Sequence, residues 1–192
     1  MMALGDSTTA GTPYFRGPLE APPDGAGDPR GSYTYWVRQA HPEWTVHNHG
    51  VNAERTDQIR ARVQRSELPA GTDTVIVLAG VNDLYQGRTP DQVLAELEAT
   101  YRWLGERGAR VVACTVLPYD RSTPSVRGRM TVLNEGIRRL ASENGLLLCD
   151  THGAAADPTR PGHLKGTPDG LHPDIPTARA VGEAIVRTLE RA

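Results

Sequence analysis

Asp169-Gly170-Leu171-His172-Pro173 sets an acid and an imidazole three residues apart, across a glycine-containing turn that leads into a helix. That spacing lets the carboxylate bond ring Nδ1 while Nε2 faces outward, which fixes the tautomer able to take a proton from a hydroxyl. Ser7 is the hydroxyl in view. It follows the apolar run Met1-Met2-Ala3-Leu4 through Gly5-Asp6, so it stands at the carboxyl edge of an expected strand, where open α/β sheets bind ligands. A serine is a poor nucleophile until a base removes its proton, and a histidine held by its own carboxylate is such a base. The chemistry this set could do is acyl transfer: Ser7 attacks, His172 carries the proton and Asp169 orients His172. The plainer reading of Ser7 is an N-cap of the next helix.

Acyl transfer also needs donors aimed at the developing oxyanion. Three candidates are the Ser7 backbone N–H, a backbone N–H from the loop after the second strand, and the side-chain amide of Asn82 in Gly80-Val81-Asn82-Asp83. Taken alone, Asn82 reads as a turn residue; its place at the end of the third strand favours the donor role. Asp150-Thr151-His152 is a rival acid–imidazole pair. It ranks lower because a one-residue spacer on extended chain does not turn one side chain onto the other. His47 and His49 flank a strand end, but neither a Cys or Glu constellation nor a helical His-x-x-x-His accompanies them, so no metal is expected.

The elements that must position these groups alternate. Expected strands cover Met1–Leu4, Trp44–Asn48, Asp73–Ala79, Val111–Leu117 and Leu146–Cys149. The third is apolar on both faces, as in a central parallel strand. Expected helices cover Tyr33–Ala40, Glu54–Glu67, a segment opened by the N-cap Thr89 and Pro90, Val126–Asn144 and Ile175–Leu189. Such alternation gives a three-layer α/β/α fold whose doubly wound, five-stranded parallel sheet has the flavodoxin-like order 2-1-3-4-5. The first and third strands are then neighbours, and the crevice between their carboxyl ends receives both Ser7 and Asn82. Breaker-rich stretches at Ala10–Ser32, Pro118–Val126 and Ala154–Pro168 are expected loops. The first is a lid or substrate wall on one reading and a disordered insertion on the other.

With 192 residues the chain suits one domain spanning residues 1–192, with a core large enough to need neither disulfides nor metals. Net charge of −2 and scattered arginines argue against nucleic-acid binding. Cys114 and Cys149 fall in expected buried strands and read as small hydrophobes. No apolar run approaches a membrane span and no leader precedes the first strand, so a cytoplasmic location is expected.

Gly5-Asp6-Ser7, the segment Asn48 to Thr56, Gly80-Val81-Asn82-Asp83 and Asp169-Gly170-Leu171-His172 together resemble the four blocks of the SGNH (GDSL-type) serine hydrolases. The resemblance spans nearly the whole chain in the right order. It implies an esterase without cofactor, acting on a small-molecule ester through an acyl-serine intermediate. By it Ser7 is the nucleophile, His172 the base and then acid, Asp169 its orienter, and Ser7, the second block and Asn82 the oxyanion donors. The family usually has glycine five positions after the asparagine matching Asn48, whereas Ala53 stands here. A backbone donor survives that change if φ is negative, so Ala53 is the expected second-block donor; if φ must be positive, the register shifts and Gly50 becomes the candidate. Asp6 is expected to serve the turn by hydrogen bonding. The polar character of the three loops favours a small or polar acyl ester. Two rival readings are a flavodoxin-like phosphate- or nucleotide-binding domain and an inactive relative that binds acyl ligands. Oligomeric state stays open.

Overall fold

The computed structural model describes residues 1–15, 20, 25–66 and 68–192. Five parallel strands, β1 (Met2–Gly5), β2 (His47–Gly50), β3 (Thr74–Leu78), β4 (Arg110–Cys114) and β5 (Leu147–Cys149), form one sheet in the order β2-β1-β3-β4-β5. The expected topology is therefore the observed one. Strand alternation divides the interior in two. Met2, Leu4, Val75, Val77, Val111 and Ala113 pack with α3 (Thr56–Arg65), α5 (Pro90–Gly105) and α6 (Pro124–Glu143). Ala3, Ile76, Leu78, Val112, Cys114 and Cys149 face α2 (Tyr33–Ala40) and α8 (Ile175–Glu190) instead. All five residues of β3 are buried, each apolar one contributing about 1.5–3 kcal/mol, so this strand anchors both layers. Cys114 and Cys149 are register partners across β4 and β5, both free and both buried.

Two strands depart from their expected bounds by more than one residue, for reasons outside their own sequence. The apolar Trp44–Val46 run suggests a strand from Trp44, yet the ladder begins where β1 can reach, with Met2 opposite His47. The strand is thus the polar His47–Gly50 on the sheet edge, while Trp44 stacks on His41. Similarly, the expected strand to Leu117 stops at Cys114, the last residue that β5 pairs. Beyond it the Asn134 side chain takes over, accepting from Val116 N–H at 2.7 Å and donating to Val116 O at 3.0 Å.

Three short helices complete the carboxyl edge of the sheet: α1 (Ser7–Ala10), α4 (Val81–Tyr85) and α7 (Thr151–Ala155). The expected loop at Ala10–Ser32 includes residues 16–19 and 21–24, and the end of the expected second helix includes residue 67; these lie outside the described residues. The lid reading falls partly on them. Among the described residues no helix is long and apolar enough to cross a membrane.

Candidate active site

At the end of β1 the chain turns directly into α1, and Asp6 makes the turn. Its Oδ1 accepts the Thr8 N–H at 3.0 Å, so Asp6 is the N-cap and Ser7 the first helical residue. The capping alternative for Ser7 is thereby corrected, and its hydroxyl is free to point elsewhere. Burial pushes the Asp6 carboxyl up to about 7 against the Thr8 hydrogen bond, and the nearby Asp83 charge adds to the rise. As a helix-start residue, Ser7 also keeps a backbone N–H with no intrahelical partner.

Ser7 Oγ lies 2.9 Å from His172 Nε2, and His172 Nδ1 lies 2.7 Å from Asp169 Oδ2. Ser7 and His172 are buried, at 8% and 9% exposure. Burial works to raise the Asp169 carboxyl, but hydrogen bonds from the His172 ring and from the His172 and Leu171 N–H groups outweigh it and bring it down to about 2. An ionised carboxylate only accepts, so Nδ1 carries the ring proton and Nε2 offers its lone pair to the Ser7 hydroxyl.

The turn that presents the pair is built by the aspartate itself. Asp169 Oδ1 accepts the Leu171 N–H at 2.9 Å and the His172 N–H at 2.8 Å, folding the chain back over the carboxylate. Gly170 has φ +77°, a conformation that favours glycine, and its carbonyl accepts the Arg121 N–H at 3.1 Å.

Asn82 sits on the second residue of α4, not in a turn. Its Nδ2 donates to the Glu54 carbonyl at 3.0 Å. Since a carbonyl can only accept, this contact selects the nitrogen end of the amide, and Nδ2 retains a second hydrogen. Asn82, Ser7 and His172 line one narrow cleft, about 390 Å³ counted out to its open mouth. Its remaining walls are largely apolar: Leu78, Ala79, Val81, Val116, Leu117, Pro118 and Leu171. Of the three loops expected to shape the substrate site, only Pro118 contributes among the described residues.

Ala53 requires a correction. Its φ is +64°, the one positive value at a non-glycine among the described residues, so the negative φ on which the Ala53 reading rested does not hold. The alternative shift to Gly50 does not follow either. The Gly50 N–H is taken by Asn48 Oδ1 at 2.9 Å, and a Cβ there would meet Ala10 N at 2.1 Å, so Gly50 serves strand pairing and close packing. The Ala53 N–H has no hydrogen-bond partner among the described residues, and Ala53 precedes the carbonyl that holds Asn82. Ala53 is not among the residues lining the cleft. Because alanine in the left-handed region is strained by about 1–2 kcal/mol, Ala53→Gly is expected to stabilise the fold by about 0.5–1 kcal/mol after the glycine entropy cost. Urea unfolding checks this, and a loss of stability would mean the strain is absent.

The rival pair Asp150 and His152 is also placed differently from expectation. The chain between them is helical, with Asp150 as N-cap of α7. Asp150 Oδ1 accepts from Thr115 Oγ1 at 2.9 Å and from Arg138 Nη2 at 3.0 Å, while His152 Nδ1 bonds Val116 O at 2.8 Å. Both tie the carboxyl ends of β4 and β5 together. His47 and His49 lie on the edge strand β2, exposed and half-buried respectively.

The model of the GDSL-like Lipase/Acylhydrolase family matches residues 3–178. The chain belongs to this family. As a GDSL-type protein it is a carboxylic ester hydrolase of the serine type. No curated protein matches it significantly. Solved structures share the GDSL fold at low identity. A member of the lipolytic G-D-S-L family from Veillonella parvula DSM 2008 is 17% identical, with TM-score 0.80 and coverage of 100% of this chain and 98% of that one. A lipolytic G-D-S-L protein from Desulfitobacterium hafniense DCB-2 is 18% identical, with TM-score 0.78 and 97% of both chains covered. Axe2, an acetylxylan esterase from Geobacillus stearothermophilus, is 19% identical, with TM-score 0.76 and coverage of 98% of this chain and 92% of that one. Sequence reasoning on the GDSL blocks missed Glu54, whose contribution to the site is a backbone carbonyl and so leaves no side-chain signal.

Proposed function

We propose that Ser7 is the nucleophile, His172 the general base and then acid, and Asp169 the residue that orients His172, in a hydrolase for esters with a short acyl group. The observation that carries this reading is the continuous hydrogen-bonded chain from Asp169 Oδ2 through the imidazole to Ser7 Oγ, at 2.7 and 2.9 Å. As Ser7 Oγ bonds the ester carbonyl carbon, its proton passes to His172 Nε2, and the carbonyl oxygen becomes an oxyanion. Collapse expels the alcohol, protonated by the imidazolium, and leaves an acyl-serine. Water then attacks the acyl carbon with His172 again as base, releasing the acid and restoring Ser7.

The oxyanion is served by the Ser7 N–H and the second hydrogen of Asn82 Nδ2. Asn82→Ala is expected to reduce kcat by ~10²–10³-fold with KM little changed, since the contact strengthens only as charge develops on oxygen. Steady-state kinetics check it; an effect confined to KM would assign Asn82 to ground-state binding.

A short acyl group is supported by the narrow cleft, whose apolar walls come mainly from the ends of β3 and β4 and the residues just after them, with only Pro118 from the three loops. The apolar lining favours a small acyl group over a polar one. The similarity to an acetylxylan esterase adds acetylated carbohydrates as one alcohol class to try. A series of p-nitrophenyl esters tests the reading: kcat/KM is expected to fall at least ~10-fold from acetyl to octanoyl, because a longer chain cannot be desolvated within the cleft. Rising values along the series would contradict it.

A further inference from the structure

The donor side of the cleft depends on a carbonyl, that of Glu54, which accepts from Asn82 Nδ2 at 3.0 Å. Glu54 belongs to the link between β2 and α3, and the residue before it is Ala53 in the left-handed region. Alanine does not favour that conformation, so the link needs an outside hold. Arg62, in the second half of α3, supplies one. Its Nε donates to Glu54 Oε2 at 2.9 Å and Oε1 at 3.1 Å, and its Nη2 donates to Glu54 Oε2 at 2.8 Å and to His49 O at 3.0 Å. One guanidinium thus ties β2 to Glu54 across the intervening chain. The two side chains are mostly covered, at 24% and 17% exposure, so solvent screens the pair less than a surface contact. Asp83 makes a separate anchor, accepting from Thr56 N and Oγ1 at 2.9 and 2.7 Å. That anchor fixes the start of α3 to α4, and the Arg55 N–H, in the same peptide unit as the Glu54 carbonyl, donates to Gln58 Oε1 at 3.0 Å; neither ties the link back to β2, as Arg62 does.

We infer that Arg62 and Glu54 are positioning residues for the Asn82 amide: their ion pair sets where the Glu54 carbonyl stands and, through it, the angle at which the remaining Nδ2 hydrogen enters the cleft. The inference rests on the reading of Asn82 as an oxyanion donor. A planar two-point fork is needed because the carbonyl must be held in direction as well as distance, and a lysine ammonium would supply a charge without that geometry.

The test is a double-mutant cycle on the full chain with p-nitrophenyl acetate. Arg62→Ala is expected to lower kcat by ~10–100-fold with KM within ~3-fold, and Arg62→Lys to recover part of the loss. In the Asn82→Ala background, Arg62→Ala is expected to cost less than ~2-fold more, since the group it positions is gone. Equal losses with and without Asn82 would overturn the inference, as would an unchanged kcat in Arg62→Ala when Asn82→Ala is impaired; the latter leaves the oxyanion reading standing. If Asn82→Ala is itself silent, the oxyanion reading fails and takes this inference with it. Circular dichroism and thermal unfolding accompany each variant. Should Arg62→Ala not fold, Arg62→Lys and Glu54→Gln, which keep the Glu54 carbonyl and one contact of the pair, carry the same cycle.

Discussion

Replacing Ser7 with alanine is expected to lower kcat on p-nitrophenyl acetate by ~10⁴–10⁶-fold while leaving the fold intact, because the reaction then loses the atom that bonds to the acyl carbon. Among the described residues the Ser7 hydroxyl has a single hydrogen-bond partner, His172 Nε2, and helix α1 is capped by Asp6. Removing the hydroxyl therefore disturbs no structural contact except at the imidazole, and the thermal midpoint is expected to stay within about 4 °C of wild type, less than 1 kcal/mol. Triad members act as a unit, so Ser7→Ala/His172→Ala is expected to be no slower than Ser7→Ala alone. A fluorophosphonate probe, which phosphonylates an activated serine, is expected to label the wild-type protein at Ser7 and to leave the alanine variant unlabelled. Turnover retained in Ser7→Ala would remove Ser7 from the role. Absence of labelling in a folded wild-type protein would favour an acyl-ligand binder over an enzyme.

What the sequence made legible is what local chain geometry decides. The Asp169–His172 turn is closed by hydrogen bonds within four residues, so its spacing is enough to read the carboxylate–imidazole pair. The sheet order follows from alternating apolar runs and helical spacing, since a strand buried on both faces has little choice of place. Illegible features depend on partners distant in sequence. β2 is a polar His-Asn-His-Gly strand only because β1 lies beside it, and β4 ends early because Asn134, on α6, takes both backbone groups of Val116. Ala53 illustrates the limit most directly. The residue type argues for negative φ, and the observed +64° is held in a link clamped from α3 and α4. The helical setting of Asp150 was likewise concealed, since Thr115 and Arg138, which bond its carboxylate, come from elsewhere in the chain.

Asp169→Asn is expected to be nearly as damaging as loss of the serine, about 10⁴-fold in kcat, for a reason the turn makes explicit. Asp169 Oδ1 accepts two backbone N–H groups, from Leu171 and His172, whereas Oδ2 faces His172 Nδ1. In an asparagine the oxygen must stay with the two backbone donors, because an NH₂ there would oppose N–H to N–H twice. The amide nitrogen is then forced to face Nδ1 as a donor, which stabilises the imidazole tautomer bearing its proton on Nε2. That tautomer meets Ser7 with a hydrogen where a lone pair is needed, so it cannot take the serine proton. The wild-type carboxyl lies at about 2, so it is fully charged from pH 5 to 8, and the loss in the variant is expected at every pH in that window. Its folded-state value is depressed, so its contribution to stability is fully present above the unfolded carboxylate value and is lost progressively as pH falls from there through about 2. Nitrogen-15 spectra of the His172 ring check the cause directly: a proton on Nδ1 in the wild type and on Nε2 in Asp169→Asn is the expected pair. A variant that keeps the Nδ1 proton yet loses turnover would mean that Asp169 acts through its charge and not by selecting the tautomer.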